Sequence, residues 1–172
     1  MMPVDANVKK IIAQPLTAEA FQKYGQVVSV PRGDDGQSAN NNTAKRFNFL
    51  GNVQNLRSDA KANMCVFRCQ PVAMPFHMRM LEKHQYSNQM FSPMNAQRYL
   101  VIVSLGGDEP DLQTLAAFVA DGTQAINYNA GCWHHPMIAL DTTIDFTCFV
   151  HENGTKDDCT VTQTKEQFFV HI

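Results

Sequence analysis

Two short stretches hold most of the groups that could do chemistry: HMRMLEKH, from His77 to His84, and YNAGCWHHP, from Tyr128 to Pro136, with four of the six histidines between them. The first offers His77, Arg79, Glu82, Lys83 and His84; the second offers Tyr128, Gly131, Trp133, His134 and His135. Imidazoles titrate near neutral pH, so beside a carboxylate they suit proton transfer or metal ligation. No Gly-rich phosphate loop and no GxSxG elbow occurs, which removes phosphate cradling and serine hydrolysis as readings.

Spacing limits which of these groups can meet. Glu82 and His84 are two apart, so on a strand they share a side, whereas His77 and Arg79 face the other side unless a bulge or bend intervenes. His134 and His135 point opposite ways, so one imidazole of the pair is expected inside. Each group also has a plain structural alternative. A solvated Arg-Lys-His strand would look like residues 79–84, and Trp133 to Pro136 would suit a packed turn with one buried, hydrogen-bonded histidine. Met74, Met78, Met80, Met90 and Met94 read as core filling, and Cys132, lacking a base at defined geometry, as an inert thiol. The residues alone support a β-barrel with an ionisable, metal-competent pocket and name no substrate.

The elements that must position these groups are mainly strands. One short N-terminal helix is expected, capped by Thr17, with Glu19 in its first turn, Phe21 and Tyr24 on one face and Gly25 at its end. Strand patterns follow at Val27–Val30, Arg46–Leu50, Met64–Cys69, Phe76–Leu81, Tyr99–Leu105, Leu115–Ala120, Ala125–Tyr128, Ile138–Leu140, Thr143–Val150 and Gln167–Ile172. Gly106-Gly107-Asp108, Asp121-Gly122 and Glu152-Asn153-Gly154 supply turns, and Asp121-Gly122 between apolar runs reads as a hairpin. The polar run PRGDDGQSANNNTAK, residues 31–45, reads as a mobile loop. Many short strands with little helix predict a barrel or jelly roll.

A chain of 172 residues with 44% hydrophobic content fits a single domain, 1–172. Its formal charge of −2 gives no footprint for nucleic acid or an anionic membrane. Leu100 to Leu105 is too short to span a bilayer, and MMPVDANVKK lacks the apolar core of a secretory leader. Five cysteines without C-x-x-C spacing suit reduced thiols and a cytoplasmic setting.

From Gln70 to Ile172 the chain resembles the ureidoglycolate lyase family, which is cupin-like. The resemblance rests on MLEKH (Met80 to His84), FSPM (Phe91 to Met94), YLVIVSLGGDEPDL (Tyr99 to Leu112) and LAAFVADGTQAINYNAGCWHHP (Leu115 to Pro136). PLTAEAFQKYGQVV, Pro15 to Val28, is similar to the family's opening helix and strand. The resemblance implies a double-stranded β-helix, or jelly-roll, barrel and a lyase that splits ureidoglycolate into glyoxylate and urea during allantoin and purine degradation. For that reaction, catalysis is expected from His84, His134 and Glu82, with His84 or His134 as base and Glu82 as orienting group or acid. Arg79 would clamp the substrate carboxylate, and Tyr128, Gln89 and His135 would bind substrate. No metal is required by this reading; a divalent ion such as nickel, if used, would be held by His84, His134 and Glu82. The chain departs from the family at Arg79, where many members carry histidine, and a guanidinium is not a usual ligand for a divalent cation. A homodimer formed through an exposed sheet edge is also expected. The alternatives are a metal-dependent cupin of other specificity, a non-catalytic cupin that binds a small carboxylate, and an amidohydrolase releasing ammonia.

Overall fold

The computed structural model describes residues 8–95 and 97–172; the first seven residues, part of the stretch read above for a leader, lie outside it. In chain order the elements are β1 (Val8–Ile12), β2 (Gln14–Pro15), helix α1 (Ala18–Phe21), β3 (Gly25–Val28), β4 (Gln37–Ala39), β5 (Ala44–Arg46) and β6 (Lys61–Cys69). There follow β7 (Phe76–Lys83), β8 (Gln89–Pro93), β9 (Arg98–Gly106), β10 (Pro110–Asp121), β11 (Ala125–Tyr128) and β12 (Trp133–His134). The chain ends with β13 (Ile138–Ala139), β14 (Ile144–Glu152), a 3-10 turn at Lys156–Asp158 and β15 (Thr160–His171).

A large sheet runs β1-β15-β7-β12-β9-β10-β2, with β13 added beside β9, and a smaller one runs β3-β11-β8-β14-β6. Facing each other, they form the expected jelly-roll barrel. Their inward faces meet in a core of Phe21, Tyr24, Phe91, Tyr99, Val101, Val103, Ile126, Phe146, Cys148 and Val150, among others. A second apolar layer lies on the outer face of the large sheet, built by Met78, Leu81, Leu100, Ile102, Trp133, Ile138 and Phe168. Strand β9 therefore has core on both sides, with Tyr99, Val101 and Val103 inward and Leu100 and Ile102 outward. That is why its sequence is an unbroken apolar run rather than an alternating one.

The helix is a single turn. Thr17 caps it as expected, its hydroxyl accepting from the Ala20 N–H at 3.1 Å, but Gly25 opens β3 rather than closing the helix. A Cβ on Gly25 would sit 2.0 Å from the Asn127 carbonyl oxygen, so the glycine is there for close strand approach. Asp121-Gly122 does not make a hairpin: β10 and β11 belong to different sheets, and the turn carries the chain across the barrel. The 31–45 segment contains the small hairpin β4–β5, with Gln37 opposite Arg46, instead of being loop throughout. Arg46–Leu50 is strand only at its first residue.

The bend expected near residues 79–84 lies at the start of that stretch: β7 pairs regularly with β15 from Met80 to Lys83, and the register slips only between Met78 and Met80. Met78 and Leu81 both enter the outer layer although they are three apart, and the pairing of β7 with β15 slips between Gln163–Met80 and Phe168–Met78. This irregularity resets which side chains face inward, so that Glu82 lies opposite His134.

Gly25→Ala is expected to lower stability by about 3 kcal/mol, seen as a melting temperature drop of roughly 10 °C, because the clash is with backbone that cannot rotate away.

Candidate active site

The two residues of β12 fill the space between β7 and β9, with His134 in register with Glu82 on one side and Val103 on the other. Alternation sends Trp133 to the outer layer and His134, 1% exposed, to the inside. One imidazole of the tandem is thus internal. His135 lies elsewhere: its ring meets Phe76 edge-on at 5.0 Å, and its Nδ1–H donates to the Pro136 carbonyl at 2.7 Å.

His134 is held on every side. Its Nδ1 lies 3.0 Å from the Cys132 carbonyl oxygen, and its Nε2 lies 3.0 Å from Gln89 Oε1 and 3.4 Å from Glu82 Oε1, so each ring nitrogen faces acceptors. Tyr128 stacks on its ring at 4.0 Å and 9°, and the His84 ring lies near-parallel to it at 5.8 Å and 17°. These contacts fix where Nε2 points.

Glu82 lies beside these rings. Its Oε1 is 4.0 Å from His84 Nε2, and its Oε2 accepts from the Cys159 thiol at 3.7 Å. Burial alone would push the carboxyl pKa up, but the hydrogen bond and charge of His134, then the charge of His84, hold it below its ordinary value. Glu82 is therefore a carboxylate at neutral pH and does not serve as the resting acid.

His84 is the group left unsatisfied. It is 7% exposed, yet neither ring nitrogen has a hydrogen-bond partner. Burial pushes its pKa down, as does His134, and these outweigh the upward pull of Glu82, of Glu152 and of the Asp158 main chain beside the ring. A buried neutral imidazole with two vacant nitrogens is a costly arrangement for the fold alone and marks a place for a ligand.

Not every expected residue joins this cluster. Gln89 does, but its amide oxygen is committed to His134, which makes it a support for the imidazole. Tyr128 contributes its ring face, while its hydroxyl points to Met137 Sδ at 3.8 Å. Arg79 stays out: it is exposed and donates its Nε–H to His77 Nδ1 at 3.1 Å, so the bend does not bring its guanidinium to Glu82. Cys132 is buried, and its thiol pKa is pushed up to about 12, as suits an inert packing group.

Four neighbours escaped sequence reading. Cys159 precedes β15, a strand whose pattern is apolar only from Gln167 onward, so nothing in the text placed residue 159 beside β7. Glu152 and Asn63 extend the inward rows of β14 and β6. Arg57 pairs with Asp158 and lies 4.8 Å from the Tyr86 ring, tying the segment before β6 to the turn before β15.

The donors also fit a divalent transition metal in kind. Ligating atoms of Glu82, His84 and Cys159 lie within 4.8 Å of one another, and His84 has a vacant nitrogen to give. The expected trio of His84, His134 and Glu82 is less apt, because both nitrogens of His134 are already engaged.

Tyr128→Phe and Arg79→Ala are each expected to keep kcat/KM within about threefold of the parent, since neither removes a polar group from the cluster. A steady-state comparison of the two variants checks this.

The ureidoglycolate lyase family profile matches residues 8–171. A ureidoglycolate lyase of Pseudomonas savastanoi pv. phaseolicola is 36% identical over 152 residues, covering 88% of each chain. One from Salmonella paratyphi B is 38% identical over 152 residues, covering 88% of this chain and 92% of that one. A solved structure of RmlC from Streptococcus suis, in complex with dTDP-D-xylose, aligns at TM-score 0.40 and 10% identity over 57% of this chain and 46% of that one. The chain belongs to the ureidoglycolate lyase family.

Proposed function

We propose that His84, backed by Glu82 and His134, carries out the family's reaction by moving a single proton. Ureidoglycolate is a carbinolamide, whose central carbon bears a hydroxyl, a carboxylate and a ureido nitrogen. Neutral His84 takes the hydroxyl proton while the C–N bond breaks and the oxygen becomes the carbonyl of glyoxylate. The same proton then goes to the departing nitrogen, because a bare ureido anion is a poor leaving group, and urea results. The overall change shifts one proton from oxygen to nitrogen and consumes no water, so one imidazole suffices.

Glu82 steadies the imidazolium that forms, as an ionised carboxylate 4.0 Å from Nε2. His134 acts through Glu82 and is a positioning residue: Cys132 and Gln89 fix its ring, and its Nε2 fixes the carboxylate. The observation that carries this reading is the buried His84 with both nitrogens unpartnered beside that carboxylate.

A divalent ion such as nickel would be held by Glu82, His84 and Cys159, and would supply positive charge to the substrate's developing carbonyl oxygen. Ligation would occupy the nitrogen needed for proton transfer, so the two uses of His84 exclude each other. Purified enzyme is expected to keep its rate after chelation. Loss of rate on chelation, restored by nickel, would move His84 from base to ligand.

The pathway reading, allantoin and purine degradation, follows from the substrate. A cytoplasmic setting is supported by five free cysteines. A homodimer is supported by β6, an edge strand whose Met64 and Val66 project into solvent, and light scattering checks it.

The central test supplies ureidoglycolate and follows glyoxylate, urea and ammonia together. Glyoxylate and urea should appear in equal amounts; ammonia in place of urea would indicate the amidohydrolase reaction, and no turnover a binding protein. His84→Ala should lower kcat by about 10²–10⁴-fold with little change in melting temperature. Protonating His84 removes the base, and its pKa lies below the ordinary 6.5. The rate should therefore be level above that pH and fall on acidification below it, as a kcat/KM profile would record.

A further inference from the structure

Glu152 is a second carboxylate at the same site. On β14, Ile144, Phe146, Cys148 and Val150 form the inward, fully buried row, and Glu152 is the next member of it. Val150 is paired on its two sides with Gln89 and Asn63, so Glu152 stands one step beyond the Gln89 that holds His134, toward the end where Cys159 lies. Asn63 Nδ2 donates to Glu152 Oε2 at 2.8 Å, which orients the carboxylate. Its other oxygen makes no hydrogen bond among the described residues, and its register partner Lys61 is exposed and forms no ion pair with it there. Asn153, the next residue, donates its backbone N–H to Asp158 Oδ1 at 3.0 Å, and Cys159 after Asp158 reaches Glu82, so Glu152 stands at the end of the barrel that holds the cluster; its charge also acts on His84 and Cys159.

A half-buried carboxylate with one oriented, vacant oxygen and no cation is an acceptor waiting for N–H groups. The substrate of the proposed reaction has such donors at one end only: the ureido nitrogens. The carboxylate end would be repelled there. We infer that Glu152, oriented by Asn63, is the specificity residue that accepts the ureido N–H groups, fixing the departing nitrogen next to His84. This rests on the reading of the site given above. It adds a direction to substrate binding, with the urea half toward β14 and β6 and the hydroxyl toward His84. The same carboxylate should hold the product urea and not glyoxylate.

The test uses Glu152→Gln in the full chain, because glutamine keeps an oxygen for Asn63 but removes the charge and turns an NH₂ toward the substrate's donors. KM for ureidoglycolate should rise about tenfold or more, as expected for loss of a charge-assisted hydrogen bond, while kcat stays within about threefold. Inhibition by urea should weaken by a similar factor, and inhibition by glyoxylate should stay as in the parent. Asn63→Ala, which frees the carboxylate without removing it, should give a smaller change with the same pattern. An unchanged KM would overturn the inference. So would equal weakening of urea and glyoxylate, or loss of kcat at constant KM. If Glu152→Gln proves unstable by thermal melting, Asn63→Ala decides the matter on the same criteria. Failure of the parent enzyme to release urea would instead sink the proposed reaction, and is seen without any variant.

Discussion

A carboxylate has been placed inside the end of an apolar barrel, and the rest of the site is arranged around that fact. Burying Glu82 as an ion is unfavourable unless partners replace the water it loses. His134 is the main partner, and its position is over-determined by the Cys132 carbonyl, the Gln89 amide and the Tyr128 ring. The pairing of β12 with β7 supplies the register that makes this contact. His84 receives the benefit: it stays neutral by its own burial, yet stands next to a charge that would stabilise it once protonated. Base strength is thus divided between two residues, one supplying the vacant nitrogen and the other the counter-charge.

The barrel and the site share structural parts. Strand β9 buries both faces, so its outer residues Leu100 and Ile102 and its inner residues Val101 and Val103 hold it from two directions. Lys83, between Glu82 and His84, faces the outer layer, where its Nζ donates to the Gly107 carbonyl at 2.7 Å and lies 4.7 Å from the Trp133 ring. Each site residue is therefore followed or preceded by an anchor on the opposite face. This is how a short strand can carry ionisable groups without losing its place in the sheet.

The period of two made part of this arrangement legible from the sequence. It puts Glu82 and His84 on one side and allows only one of His134 and His135 inside, and both hold. What escaped depended on partners far away in the chain. Arg79 looked like a carboxylate clamp by type, but its donor goes to His77, two residues away, an interaction that a spacing rule does not rank. Asp121-Gly122 has hairpin chemistry, yet the turn joins two sheets, because the core decides which strands pair. Cys159 had no apolar pattern around it and reaches Glu82 only through the pairing of β15 with β7. Tyr128, expected to bind substrate, stacks its ring on His134 and turns its hydroxyl to Met137, contacts that its type alone does not reveal.

The two-residue length of β12 has an evolutionary consequence. Trp133 and His134 serve opposite faces of a single pleat, so gaining or losing one residue between Gly131 and Pro136 would exchange indole and imidazole. Neither could do the other's work: the indole would enter the ionisable cluster and the imidazole an apolar layer. Descendants of this chain can therefore tolerate substitution in that segment far more readily than any change in its length.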